Sequence, residues 1–202
     1  MADTLRRDMN RLAALGMVAR QPMHGYLVRG LARRMGLEHW ARLSASSIYA
    51  TLARLPEEGL ATVNRERSGK APERNVYRIT SQGRKALKDL LRSALGGSPH
   101  APGLFHLALA FCENLEQGEV VQLLKRRLDH LSAAAKKMGR QKSALQHYHP
   151  EFNHLALLMD SGRDHLRAEM RLCRRVIELL EGDRRYFERF KEALADADEM
   201  LH

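Results

Sequence analysis

Four cationic residues lie within ten positions of one another, and their spacing suits binding to a polyanion. They are Arg65, Arg67, Lys70 and Arg74, in and beside a loop that contains Gly69 and Pro72. The β-prone runs 61–64 and 75–79 on either side of this loop predict a hairpin. Because Arg and Lys side chains of such a hairpin suit phosphate oxygens, we predict that it contacts a nucleic-acid backbone.

The residues immediately before the hairpin predict a helix with two different faces. Ser44 is a good N-cap, Gly59 is a natural stop, and Ile48, Leu52 and Leu55 recur on one face at helical spacing. The other face is small, hydroxylated and lightly cationic, which lets the helix approach another molecule closely. Its candidate DNA-binding residues are Ser46, Ser47, Tyr49 and Arg54.

A helix followed by a basic hairpin is the arrangement of a winged helix-turn-helix. In that arrangement the helix enters the major groove and the wing lies along the sugar-phosphate backbone. Tyr49 has two interpretations, a phosphate contact or a tyrosine at the edge of the core. Serine hydroxyls do not discriminate between bases, so these residues predict no operator sequence.

The positive charge is segregated along the chain. The 202 residues carry a net charge of +10, and residues 1–95 contain 18 Lys and Arg against 8 Asp and Glu, whereas residues 96–202 contain 16 of each. Residues 96–103 hold three Gly and two Pro and predict a linker. We therefore predict a mainly α protein, with a winged helix-turn-helix domain in 1–95 and an all-α dimerisation domain in 104–202.

Long amphipathic patterns fill the second half of the chain. Helices that bury only one stripe each are better covered by a second copy, and a dimer of two reading helices suits a palindromic operator. We therefore predict a homodimer on double-stranded DNA. The residues predicted for dimerisation are Leu155, Met159, Leu166, Met170, Ile177 and Leu180.

Aromatic and histidine residues suggest two further sites. Tyr26, His39, Trp40 and His106 are candidates to line an effector pocket between the two domains. His147, His149 and His154 with Glu151 contain suitable ligands for a transition metal, but their spacing matches no standard set. We favour a plain inter-helix turn, and we predict no metal and no cofactor.

Other classes of protein are disfavoured by what the sequence lacks. It shows no nucleophile with a base, no paired carboxylates and no phosphate-cradling loop, so we do not expect an enzyme. No apolar run approaches the roughly 20 residues that a membrane-spanning helix needs. Residues 1–12 have no apolar core of a signal peptide, so we expect a cytoplasmic protein.

Several short motifs, in one order, resemble the PadR family of transcriptional regulators. Residues 15–18 with 22–26 resemble its start, and residues 43–60 resemble its recognition helix. Residues 77–84 resemble the segment that follows its wing. Residues 105–115 and the long helix after them are similar to the C-terminal domain of the larger PadR subfamily. Pro56 and the segment after Gly182 depart from the family pattern.

This resemblance implies a dimeric winged-helix repressor whose DNA affinity changes when a small effector binds. It assigns residues 46–54 to the recognition helix and residues 65–74 to the wing. The alternative is a metal-responsive regulator, or a ligand-binding protein that uses its winged helix for protein contacts only.

Overall fold

The computed structural model describes residues 2–66, 74–97, 102–149 and 151–199. Helices dominate this part of the chain, with one small antiparallel sheet, as the sequence predicted. A 3-10 turn at Cys112–Asn114 lies between the sixth and seventh helices. The helices are α1 (Ala2–Arg20), α2 (Gly25–Arg34), α3 (Leu37–Trp40), α4 (Ala45–Arg54), α5 (Ser81–Gly96), α6 (Pro102–Leu109), α7 (Gln117–Tyr148), α8 (Asn153–Gly182) and α9 (Tyr186–Glu199), and the strands are β1 (Met23–His24), β2 (Ala61–Glu66) and β3 (Arg74–Ile79).

The described residues fall into two compact units. The N-terminal unit takes those within 1–94 and 101–115, and the C-terminal unit takes those within 95–100 and 116–202. The division differs from the predicted boundary, because α6 and the 3-10 turn belong to the N-terminal unit. The physical reason is that α6 is apolar on nearly all sides and packs against α1, with Phe105 and Leu107 fully buried.

The core of the N-terminal unit forms around α1. Residues 12–19 of α1 are all buried, and both α1 and α2 have contacts with α4. The N-cap predicted at Ser44 is confirmed, since its Oγ accepts a hydrogen bond from the Ser47 amide at 3.1 Å. The turn after α4 passes through Gly59, whose φ of +70° suits a residue without a Cβ.

The sheet has three strands in the order β1-β3-β2. The hairpin of β2 and β3 pairs Ala61 with Ile79 and Glu66 with Arg74, which matches the predicted wing strands. On its other side β3 pairs with β1, where Met23 lies opposite Tyr77. A strand of two residues has no alternation to detect, so the sequence predicted only the two strands of the wing.

The C-terminal unit is built on the pairing of α7 and α8. Arg127 is 1% exposed, and its Nε donates to Glu169 Oε1 at 2.6 Å while its Nη1 donates to the Gly97 carbonyl at 3.0 Å. Removing either ionic partner of such a buried pair leaves an uncompensated charge and is costly. This pair therefore fixes α7 against α8, and Arg127 also binds the carbonyl of Gly97 in the same unit.

Candidate nucleic-acid interface

One face of α4 is buried and the other is open. Ile48 and Leu52 are fully buried on the side that packs against α1 and α2. The exposed residues of α4 are Ser46, Ala50, Ala53 and Arg54. This face is nearly flat, and Arg54 is its only long side chain, so the backbone of α4 can approach a groove closely.

Ser47 does not belong to the exposed face, in contrast to its predicted role as a DNA contact. Its hydroxyl lies 2.9 Å from Oδ1 of Asn10 in α1 and 2.8 Å from the Ser44 carbonyl, with Ser47 as the donor. Asn10 is itself buried. The side chain of Ser47 therefore joins α4 to α1. It supplies a hydrogen-bond donor to the buried amide oxygen of Asn10, which would be unfavourable without one.

Tyr49 lies at the border between core and surface. The ring packs on the start of α2, where a Cβ at Gly25 would come within 2.1 Å of Tyr49 Cε2. The guanidinium carbon of Arg29 lies 4.4 Å from the centroid of the same ring, within the range of a cation–π contact. Burial raises the pKa of the neighbouring Tyr77 phenol, and the nearby Tyr49 phenol raises it further.

Arg29 was missed by the sequence analysis. It is an exposed residue of α2, twenty positions before Tyr49, and helical spacing alone gives no reason to place the two together. The signal that could have suggested it is Gly25, because a glycine at the start of a helix permits close packing of a large side chain.

The wing presents its two described predicted cations on opposite faces. Arg65 pairs across the ladder with Asn75, and Arg74 pairs with Glu66. Since successive side chains alternate between faces, Arg65 and Arg74 point to different sides of the ribbon. Arg67 and Lys70, which were also predicted to contact DNA, lie outside the described residues.

The predicted effector residues do not all come together. Trp40 and His106 line one cleft of about 460 Å³ with Leu109 and Ala110, and all four belong to the N-terminal unit rather than to a boundary between domains. The Trp40 indole is fixed there by its Nε1, which donates to the Met35 carbonyl at 2.8 Å.

Tyr26 and His39 lie elsewhere, which corrects that part of the prediction. Tyr26 is 79% exposed and lines a separate cleft beside Tyr49. His39 is exposed and does not line the Trp40 cleft. The reason is that residues near one another in the sequence point to different sides once α2 and α3 fold.

The predicted dimerisation residues lie on the side of α8 that faces α7. Ile177 and Leu180 are buried within the chain, so they are not available to a second copy. Met159, Leu166 and Met170 are half-buried, and Leu155 remains 37% exposed. A second apolar stripe on α8 is more open, with Leu158 66% and Leu179 47% exposed and with Leu172 and Val176 half-buried between them.

The candidate metal ligands do not form a cluster where the structure describes them. Among the described residues no three His, Cys, Asp or Glu side chains are arranged to hold a metal ion. His149 lies 3.3 Å from Glu151 at the turn between α7 and α8, and both are exposed. Within the same described ranges, no helix combines the length and apolar character that a membrane crossing needs.

The fold and its exposed basic surface define a winged-helix DNA-binding protein. Residues 14–89 match the model of the transcriptional regulator PadR-like family. Over 101 residues the chain is 37% identical to the transcriptional regulator Rv3488 of Mycobacterium tuberculosis (strain ATCC 25618 / H37Rv), covering 46% of this chain and 89% of that protein. The chain belongs to the PadR-like family of transcriptional regulators, which are DNA-binding proteins and not enzymes. The predicted resemblance is confirmed.

Three solved structures align with most of the chain at low TM-scores. Bacillus subtilis PadR in complex with operator DNA is 20% identical, covering 84% of this chain and 98% of that chain with a TM-score of 0.39. The same protein in complex with p-coumaric acid is 19% identical, covering 88% and 98%, with a TM-score of 0.37. The protein smu.1604c of Streptococcus mutans UA159 is 18% identical, covering 82% and 96%, with a TM-score of 0.38. At these scores no contact of theirs is transferred to residues of this chain.

Proposed function

We propose that the protein is a homodimeric repressor that binds a palindromic operator through α4 and the wing and that responds to a small effector. The observation that carries the DNA contact is the flat, exposed face of α4, with Arg54 on it and with exposed Arg29, Arg65 and Arg74 in the same unit. The small face fits the major groove, and the surrounding cations suit the phosphates on its edges. Occupying an operator is enough for repression, whereas activation needs a further surface for the polymerase.

The second stripe of α8 supports the dimer. Leu158, Leu172 and Leu179 are separated by multiples of seven residues and Val176 lies four residues after Leu172, a spacing that suits packing against another helix. Exposed leucines in a line mark an interaction surface more often than solvent contact. Each protomer adds its own phosphate contacts, so a dimer binds two half-sites about one helical turn apart far more tightly than one protomer binds one.

The Trp40 cleft supports the effector. Its walls are apolar, and His106 supplies one polar group, so it suits a flat, largely apolar molecule with an acceptor or an acidic group. A connection to the DNA contact is present in the same unit. Arg20 of α1 donates to the carbonyl of Ala110 in the cleft at 2.8 Å, and its Nε donates to the buried carboxylate of Glu113 at 2.9 Å.

Through α1, a displacement in the cleft can reach α4. Ten residues before Arg20, in the middle of α1, Asn10 accepts the hydrogen bond from Ser47 of α4. An effector changes DNA affinity only if it binds one arrangement of these elements better than the other. We expect the arrangement that moves Ala110 also to change the position of α4.

The alternative of a metal-responsive regulator gains no support from the described residues, where the candidate histidines form no ligand set. A winged helix used for protein contacts alone is also less consistent with a surface so rich in arginine. DNA binding through this surface remains the function that the geometry favours.

The DNA contact is tested by fluorescence anisotropy on operators selected from random duplexes. We expect wild-type binding to be salt-sensitive. Arg65→Ala with Arg74→Ala should weaken binding to all sequences and lower the log–log salt slope by about two, because each substitution removes one phosphate-binding cation. A matched control removes two exposed cations of α8, Arg171→Ala with Arg174→Ala, and should leave the slope unchanged. The wing assignment is wrong if both double variants bind alike at every salt concentration.

A further inference from the structure

A polar cleft lies beside α4. It is lined by residues of the recognition helix α4, of the wing and of α2 together. The start of α2, the middle of α4 and the first residues of β3 meet around a space of about 560 Å³. The residues that line it include Arg29, Tyr49, Arg74 and Asn75, and Tyr26 is exposed beside them. His24 of β1 also lines it, so four elements form one concave surface.

Arg29 is held in this cleft by an aromatic ring rather than by a carboxylate. Its guanidinium carbon lies 4.4 Å from the centroid of the Tyr49 ring. Among the described residues, no Asp or Glu forms an ion pair with Arg29. A guanidinium stacked on a ring keeps its full charge and still presents N–H donors in its plane, an arrangement that suits an oxyanion.

The second cation of the cleft is Arg74. The acidic side chain opposite it in the ladder is Glu66, whose Oε1 accepts a hydrogen bond from Arg78 at 2.9 Å. That carboxylate is therefore already engaged by another cation. The cleft keeps an excess of positive charge after this neighbour is taken into account.

The geometry of Tyr49 depends on a glycine. A Cβ at Gly25 would lie 2.1 Å from Tyr49 Cε2, so the Tyr49 ring packs directly against the backbone at the start of α2. This close packing carries Arg29, four residues further along α2, to a position above the ring. The cleft is therefore a built feature of the α2–α4 contact and not a chance meeting of flexible side chains.

We propose that this cleft binds one backbone phosphate of the DNA, with Arg29 as its main cation and Arg74 as the second. The inference rests on the proposed DNA contact of α4, since a strand bordering the groove that α4 enters would pass beside that helix. Its volume accommodates a phosphate with the adjoining sugars. A phosphate held from the side of α4 fixes how deep and in which register that helix lies.

The experiment compares Arg29→Ala with Arg34→Ala, a control that removes an exposed cation from another side of the same helix. Removing a charged hydrogen-bond donor to a phosphate should raise Kd for a selected operator about tenfold for Arg29→Ala and lower the salt slope by about one. Arg34→Ala should change neither, and Arg29→Lys should keep the slope because it keeps the charge. Thermal unfolding of each variant shows whether the fold is retained.

A second measurement locates the contact on the DNA. Operators are made with a single uncharged methylphosphonate at each backbone position in turn. Wild-type protein should bind more weakly when the methylphosphonate lies at one particular position in each half-site. The same replacement should not change the affinity of Arg29→Ala, because that variant already lacks the interaction with this phosphate.

The outcomes separate the two proposals. The cleft does not bind a phosphate if wild type binds the operator but Arg29→Ala and Arg34→Ala have the same Kd and salt slope. The same conclusion follows if every methylphosphonate that weakens wild-type binding also weakens binding of Arg29→Ala. If wild type binds no duplex at all, the proposed function itself, DNA binding through α4, is contradicted.

Discussion

Ser46 and Ser47 are neighbours in the sequence but have different surroundings. Ser46 is exposed on the open face of α4, whereas the Ser47 hydroxyl donates to buried Asn10. One residue in a helix turns the side chain by about 100°, which is enough to separate a surface position from a position against α1. Both were predicted to contact DNA, and of the two only Ser46 is exposed on the open face of α4.

The two serines therefore predict opposite effects of substitution. Ser47→Ala should lower the free energy of unfolding by about 1 kcal/mol, because the amide oxygen of Asn10 loses its hydrogen-bond donor. Ser46→Ala should change that free energy by less than about 0.5 kcal/mol and should weaken operator binding instead. Urea unfolding and anisotropy titrations of both variants check this. A larger stability loss for Ser46→Ala than for Ser47→Ala would contradict it.

At the scale of elements, the short helix α3 and the helix α6 form the cleft that we propose for an effector. Gly36 begins α3 in the left-handed region, with a φ of +64°, and the four residues that follow place Trp40 at the surface. α6 packs against α1 and presents His106 and Leu109 outward. The cleft between Trp40 and His106 therefore depends on two elements that are far apart in the sequence.

The cleft has a convenient probe, because Trp40 is the only tryptophan of the chain. Titration with a panel of aromatic carboxylic acids should give a saturable change in Trp fluorescence for those that bind. His106→Ala should raise the apparent Kd by about tenfold by removing the polar partner, whereas His39→Ala, which lies outside the cleft, should leave it unchanged. If the two substitutions changed the apparent Kd equally, the cleft would not be the effector site.

At the scale of the whole molecule, we propose that the basic N-terminal half binds DNA and that the neutral C-terminal half forms the dimer. A neutral half can associate with its copy without charge repulsion, and its α8 helix offers one apolar stripe to α7 and a second to solvent. Within one chain the second stripe stays partly exposed. In the proposed dimer this stripe would pack against the second protomer, and the two α4 helices would bind the two half-sites of the operator.

The dimer is tested by changing that second stripe. Leu158→Glu with Leu179→Glu should weaken association by at least about 100-fold, because two leucines per protomer can no longer be buried and charges would enter an apolar contact. Sedimentation equilibrium measures the association, and operator affinity should fall with it. Arg171→Glu, on a third side of α8, is the control and should remain dimeric. A double variant that stays dimeric at micromolar concentration would show that the interface lies elsewhere.

The sequence by itself determined the local features of the protein. The cap at Ser44, the end of α4 near Gly59 and the strands of the wing follow from short-range rules, because each depends on residues within a few positions. The charge of the N-terminal half and the family motifs are also local properties. They were sufficient to predict a winged-helix regulator.

Only the tertiary structure decided which surfaces these features present. Helical spacing groups Ile177 with Leu166 on one face of α8, but it does not say whether α7 or a second copy covers that face. Likewise, nothing within a few residues places Ser47 against Asn10, Arg29 on the Tyr49 ring, or Trp40 beside His106 but away from Tyr26. The physical reason is that each of these contacts joins separate elements, and it is fixed by how their buried faces pack.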